Sequence, residues 1–147
     1  MIRGIAAVLA GLIVLTVLSF AIEWAIDPLL LRLFPQALPK ASALETNLYA
    51  ALFMYFYTAV CVAAGGYVTA WVARRRPVGH AVAMGVVELG LTVGAMKAVV
   101  AHAPLRNWII GMVMVVPAAW CGGFFRAKQE QATKRDPLAA PAGGATP

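Results

Sequence analysis

Three ionisable side chains, Glu23, Glu88 and Lys97, lie within long apolar stretches of the sequence. Charged groups inside a membrane are energetically costly, so such residues normally have a partner or a function. Glu88 is a candidate proton or cation site, because apolar surroundings favour the neutral form of a carboxyl group. Thr92, on the same helical face, and Thr69, in the preceding apolar stretch, are its candidate partners. The alternative is a structural Glu88, protonated and bonded to a neighbouring hydroxyl or carbonyl group.

Glu23 follows Arg3, and Lys97 follows His80, by similar distances along their stretches. At 1.5 Å per helical residue, both lie roughly 25–30 Å from these starting residues. This matched depth predicts an ion pair between two helices. The alternative is that both side chains extend independently to the nearer headgroup layer.

The other reactive side chains form no recognisable catalytic motif. Cys61 and Cys121 lie in separate apolar stretches at different depths, which excludes a redox pair. His80 and His102 lie at opposite ends of one stretch, too far apart to share a haem. We therefore expect no catalytic residue, no metal site and no cofactor, and we do not expect an enzyme.

The composition indicates that the apolar stretches containing these ionisable residues lie in a membrane. The chain has 147 residues, of which 62% are hydrophobic and only 12% are charged. Soluble domains carry about 25% charged residues, and a chain of this size cannot bury so much apolar surface. The net charge of +6 comes from basic clusters that end apolar stretches, such as Arg74-Arg75-Arg76. This distribution is typical of cytoplasmic membrane flanks rather than of nucleic-acid binding.

Four apolar stretches are long enough to cross a bilayer as helices, at about 4–26, 48–73, 81–101 and 108–125. The predicted fold class is therefore all-α, an integral membrane four-helix bundle. One transmembrane domain would occupy residues 1–128. The tail at 129–147 ends in a low-complexity segment rich in Ala, Pro and Gly, and we expect it to be disordered.

Most of the twelve basic residues lie on one side if both termini are cytoplasmic, which favours that orientation in a bacterial inner membrane. In the first outer loop, Asp27-Pro28 is a good helix start, and it predicts a short interfacial helix ending near Phe34. The first stretch could instead be a cleaved signal peptide. Its length and the following Glu23-Trp24 favour a retained helix.

Glycines indicate where helices approach closely. The spacing Gly90-x-x-x-Gly94 allows close packing in membranes. The pairs Gly65-Gly66 and Gly122-Gly123 end the second and fourth stretches in a similar way. This similarity reflects either an ancient duplication or chance.

The interpretation that follows is a small multi-pass protein acting as a non-enzymatic accessory, assembly or structural subunit. Its partners would be the lipid bilayer and either a membrane protein or further copies of the chain, with no nucleic acid. The alternative is a small oligomeric transporter or channel with Glu88 as its protonatable site. Polar residues concentrate in the outer half of the first stretch rather than in a continuous path, which favours the subunit.

Overall fold

The computed structural model describes residues 2–37, 47–73, 76–99 and 105–135, without the side chains of residues 2, 96–99, 134 and 135. Four α-helices make up this part of the chain: α1 (Ile2–Leu33), α2 (Leu48–Ala73), α3 (Pro77–Val99) and α4 (Leu105–Arg135). Each contains an apolar segment long enough to cross a membrane. The prediction of an all-helical protein with four membrane-length helices is confirmed.

Helix α1 extends further than the sequence predicted. The segment expected to form a separate interfacial helix from Asp27 is continuous with α1, which includes Pro28 and ends at Leu33. Proline removes only one backbone hydrogen bond, the one to the Trp24 carbonyl, and membrane helices tolerate this loss. Packing supports the extension, because Leu30 and Leu31 contact the start of α2.

Helix α4 is also longer than predicted. Residues 129–135, which we expected to begin a disordered tail, are helical, whereas residues 136–147 lie outside the described part. The run after Phe125 is rich in strong helix formers, including Ala, Lys, Gln and Glu. The extension is also linked to α2, because the Tyr67 hydroxyl donates a hydrogen bond of 2.7 Å to Gln129 Oε1.

We call the end of the bundle that contains the start of α1 and the end of α4 the proximal end, and the opposite end the distal end. Helix α2 contacts the three other helices. Between the two ends, an apolar cluster joins all four helices through Leu15, Val62, Met84, Val115 and Ala119. This cluster is the core of the bundle.

Glycines bring the helix backbones together near this core. A Cβ atom added at Gly11 of α1 would lie 2.7 Å from the Gly65 carbonyl oxygen of α2. Gly66 of α2 lies against Ala119 of α4, and Gly122 of α4 lies against Ala63 of α2. Small residues allow this approach, which is the usual mode of helix packing in membranes.

The outward faces are apolar as well. One such face runs along α1, where large hydrophobic side chains recur about once per turn: Ile5, Leu9, Ile13, Val17, Phe20 and Trp24. A soluble protein rarely exposes an apolar surface of this length. This face is suited to contact with lipid.

Candidate functional site at the distal end

A cavity of about 260 Å³ lies among the four helices at the distal end. We call it the distal cavity. Each helix supplies at least one side chain to its polar and aromatic lining, which comprises Glu23, Tyr55, Tyr57, Thr58, Thr92, Asn107 and Trp108. Because these residues come from separate helices, only the folded bundle brings them together.

Acidic side chains from α1 face this region. Glu23 lines the cavity and is half-buried, and Asp27 follows one helical turn later on the same face. Both carboxyl groups act electrostatically on the Tyr57 hydroxyl of α2. One oxygen of Asp27, Oδ1, is buried and has no hydrogen-bond partner among the described residues. Asp27 itself lines an adjoining groove of α1 together with Arg32, so the acidic group in the lining of the distal cavity is Glu23.

Two hydrogen-bond donors in the cavity wall are unsatisfied. Tyr57 is only 5% exposed, and its hydroxyl lies near Glu23 without completing a hydrogen bond of good geometry. The indole nitrogen of Trp108 is also buried and has no partner among the described residues. Leaving a buried donor unpaired costs about 1–3 kcal/mol. Such donors favour an occupant that supplies acceptors.

A hydrogen bond across the cavity wall joins α2 to α4. The Tyr55 hydroxyl donates to Asn107 Oδ1 over 2.6 Å. This bond holds the distal ends of the two helices together. The position of the neighbouring Trp108 ring is thereby linked to α2.

Glu88 does not line the distal cavity. It lies on α3 and is half-buried, between Met84 in the core and Thr92 in the cavity wall. These three residues share one face of α3, each a helical turn from the next. Of the predicted proton site, therefore, Thr92 lines the cavity, and Glu88 lies one turn closer to the core.

Thr69, the third residue of the predicted proton site, belongs to a helix crossing. It is fully buried against Gly11 of α1. Its hydroxyl donates a hydrogen bond of 2.9 Å to the Gly65 carbonyl oxygen. In the described part of the chain, no hydrogen bond joins Glu88 to Thr69 or Thr92.

The predicted ion pair between Glu23 and Lys97 involves a side chain outside the described part, so it stays a prediction. The two cysteines are free, Cys61 buried and Cys121 half-buried. Within residues 2–37, 47–73, 76–99 and 105–135, no group of three His, Cys, Asp or Glu side chains is arranged to hold a metal.

The sequence analysis did not identify the aromatic part of the cavity. Tyr55 and Tyr57 flank Phe56 in an apolar run, and Trp108 follows Asn107 at the start of α4. The only signal in the sequence was the presence of polar aromatic residues near the same ends of two helices. Such residues are also common at membrane interfaces, so their presence alone does not indicate a site.

Comparison with protein-family models, with curated proteins and with solved structures finds no match to this chain. The class of protein therefore rests on its own features. Four apolar helices of membrane-spanning length, packed through glycines and apolar outside, define a multi-pass membrane protein.

Proposed function

We propose that this protein is a non-enzymatic accessory, assembly or structural subunit that lies in a bacterial inner membrane. The observation that carries the proposal is the close packing between the distal cavity and the proximal end. There the apolar core cluster and the glycine crossings occupy the centre of the bundle.

This packing favours a static scaffold over a transport pathway. A Cβ atom at Gly65 would lie 2.8 Å from the Gly11 carbonyl oxygen, and Met84 is completely buried beside it. Transporters that alternate access move one group of helices against another around a central site. Movement at these crossings would separate backbones that are in direct contact.

The proposed orientation places both termini in the cytoplasm. The proximal end carries Arg3, Arg76, Arg126 and Lys128, and basic residues are retained preferentially on the cytoplasmic side. The distal cavity would then lie in the outer half of the membrane. The lipid bilayer is the first partner, and a second membrane protein or a further copy of the chain is the other.

A small oligomeric transporter or channel using Glu88 is the alternative function. It is favoured by one observation: Glu88 lies half-buried on the same face of α3 as Thr92, which lines the cavity. A proton that entered the cavity would have only one helical turn to cross before reaching Glu88. Beyond Glu88, however, this face of α3 continues to the buried Met84.

The two functions are separated by a flux measurement and a crosslinking measurement. In proteoliposomes with a pH-sensitive dye, the subunit predicts the same proton leak as in empty liposomes. A photo-crosslinking residue is placed at Ile13 or Val17, on one face of α1, or at Val113 of α4, all of which are exposed. In native membranes one of these two helix faces should give a discrete product and the other should not. Flux that disappears in Glu88→Gln, or equal crosslinking to lipid alone at every position, would contradict the proposed function.

A further inference from the structure

We propose that the distal cavity binds a small organic ammonium group that carries an oxygen acceptor about two carbons away, as in an amino alcohol. The proposal rests on the charge, the aromatic walls and the unsatisfied donors of the cavity. It is independent of whether the protein is a subunit or a transporter.

The acidic wall determines the sign of the ligand. Glu23 lines the cavity, and the charge that acts on it among the described residues is the like charge of Asp27. Two carboxyl groups one turn apart repel each other when both are ionised. A cation bound at Glu23 relieves this repulsion, so the cavity favours a positively charged occupant over an anionic one. If the Lys97 ammonium pairs with Glu23 as predicted, the ligand binds to the remaining acceptor sites of the carboxylate, which has two oxygen atoms.

The aromatic walls determine the kind of cation. Tyr55, Tyr57 and Trp108 surround the same space as Glu23. Aromatic rings attract organic ammonium groups through their negative faces, and this attraction strengthens when the cation is removed from water. A metal ion would instead need several oxygen ligands. The lining therefore fits an alkylated or primary ammonium group.

The unpaired donors require a second feature in the ligand. The Trp108 indole nitrogen is a donor only, so an ammonium group cannot satisfy it. The buried Tyr57 hydroxyl lies near Glu23, but it likewise completes no hydrogen bond of good geometry. An oxygen atom on the ligand would accept from one or both of them. The ligand would therefore place its ammonium group at Glu23 and its oxygen atom near Trp108 and Tyr57.

The volume limits the size of the part that enters. The cavity measures about 260 Å³, below the roughly 300–1,000 Å³ typical of pockets for drug-sized ligands. A free amino alcohol fits within this space, and so does the aminoethyl phosphoester headgroup of a phosphatidylethanolamine lipid. Both sources share the same chemistry.

The test is a titration of the full-length protein with choline in phosphatidylglycerol nanodiscs, followed by calorimetry. We expect saturable binding of choline and no binding of its neutral isostere, 3,3-dimethyl-1-butanol. Glu23→Gln should weaken choline binding about tenfold or more, as expected for loss of a charged partner. Glu130→Gln, the matched change at a carboxyl group near the proximal end of α4, should leave the affinity within about twofold.

A second variant keeps the test valid if Glu23→Gln fails to fold. Tyr57→Phe removes only the hydroxyl, so it should weaken choline about threefold to tenfold. It should leave tetramethylammonium, which has no oxygen, unchanged. A parallel loss for both ligands would contradict the proposed role of the ligand oxygen.

The membrane composition distinguishes the two sources of the ligand. If a lipid headgroup is the occupant, adding phosphatidylethanolamine to the nanodiscs will reduce the apparent affinity for choline, and Glu23→Gln will abolish this competition. If a free solute is the occupant, the added lipid will have no effect. Equal binding of choline and its neutral isostere, or no saturable binding in either membrane, would overturn the proposal.

Discussion

Gly11 of α1 and Gly65 of α2 form a backbone contact at which neither residue has room for a side chain. A Cβ atom at Gly11 would lie 2.7 Å from the Gly65 carbonyl oxygen, and one at Gly65 would lie 2.8 Å from the Gly11 carbonyl oxygen. The Thr69 hydroxyl, bonded to the Gly65 carbonyl oxygen, closes the same contact. This crossing sets the separation of α1 and α2.

Gly11→Ala should therefore destabilise the bundle. The new methyl group meets backbone that cannot move aside as a flexible side chain would, and overpacking of this kind costs about 1–3 kcal/mol. Gly90→Ala is the matched control, because nothing lies within 4 Å of its added Cβ atom. It should be neutral or stabilising by up to about 1 kcal/mol, since alanine is the better helix former. Thermal unfolding in detergent compares the two, and equal effects would show that the crossing is not tightly packed.

The hydrogen bond between Tyr55 and Asn107 should contribute to the stability of the distal end. Tyr55→Phe removes the donor and should cost about 0.5–1.5 kcal/mol. Tyr49→Phe is the control, because Tyr49 is 83% exposed. Hydrogen–deuterium exchange should show faster exchange near the start of α4 for Tyr55→Phe only. Unchanged exchange in both variants would mean that the bond does not hold α4 against α2.

The predicted ion pair between Glu23 and Lys97 should appear as energetic coupling. Glu23→Gln or Lys97→Met alone leaves one charge unpaired in an apolar environment. Each single change should therefore destabilise the bundle more than the two changes together. A double-mutant cycle on thermal unfolding measures this coupling. Additive effects would show that the two side chains extend independently to the headgroups.

Substitutions at Glu88 distinguish a structural role of this carboxyl group from a proton-carrying role. For a structural, neutral carboxyl group, Glu88→Gln preserves a donor and an acceptor and should leave stability nearly unchanged. Glu88→Leu should cost about 1–3 kcal/mol if it leaves a partner unpaired. The measurement is thermal stability across pH for the wild type and Glu88→Gln, with proton flux in liposomes alongside. Identical curves without flux exclude the transporter, and a curve or flux changed by Glu88→Gln would support it.

The orientation is testable with reporters at both ends of the bundle. A reporter fused after Arg135, at the end of α4, should report cytoplasm, and one inserted at residues 35–37 should report the outer side. Both positions lie outside the apolar segments, so the insertions should leave the helices intact. A comparable yield of the same fusion protein on both sides would indicate dual topology and would contradict the proposed orientation.

The number and type of helices followed from the sequence alone. An apolar run of membrane length must satisfy its own backbone hydrogen bonds, and a helix is the structure that does so within one segment. The ends of two helices were less predictable: α1 continues through Pro28, and α4 continues beyond Phe125. At both places, contacts made by another helix, from Leu30 and Leu31 to α2 and from Tyr67 to Gln129, support a helix beyond its apolar segment.

The faces of the helices were decided by the tertiary structure. A helix that is apolar on all sides gives no periodic signal for its inward face. The spacing Gly90-x-x-x-Gly94 therefore indicated a close contact, yet an added Cβ atom at either glycine meets open space. The close contacts fall instead at Gly11, Gly65, Gly66 and Gly122, where two helix backbones meet.

Some residues of the candidate site could likewise be predicted from the sequence, and others became apparent only in the tertiary structure. Glu23 and Thr92 could be selected from the sequence, because polar groups are conspicuous in an apolar run. Tyr57 and Trp108 could not, because an isolated polar aromatic residue is ordinary in a membrane helix. Only the packing of the four helices into one bundle brings these four side chains to one cavity. Their proximity depends on the rotation of each helix about its axis, which side-chain packing determines after the helices have formed.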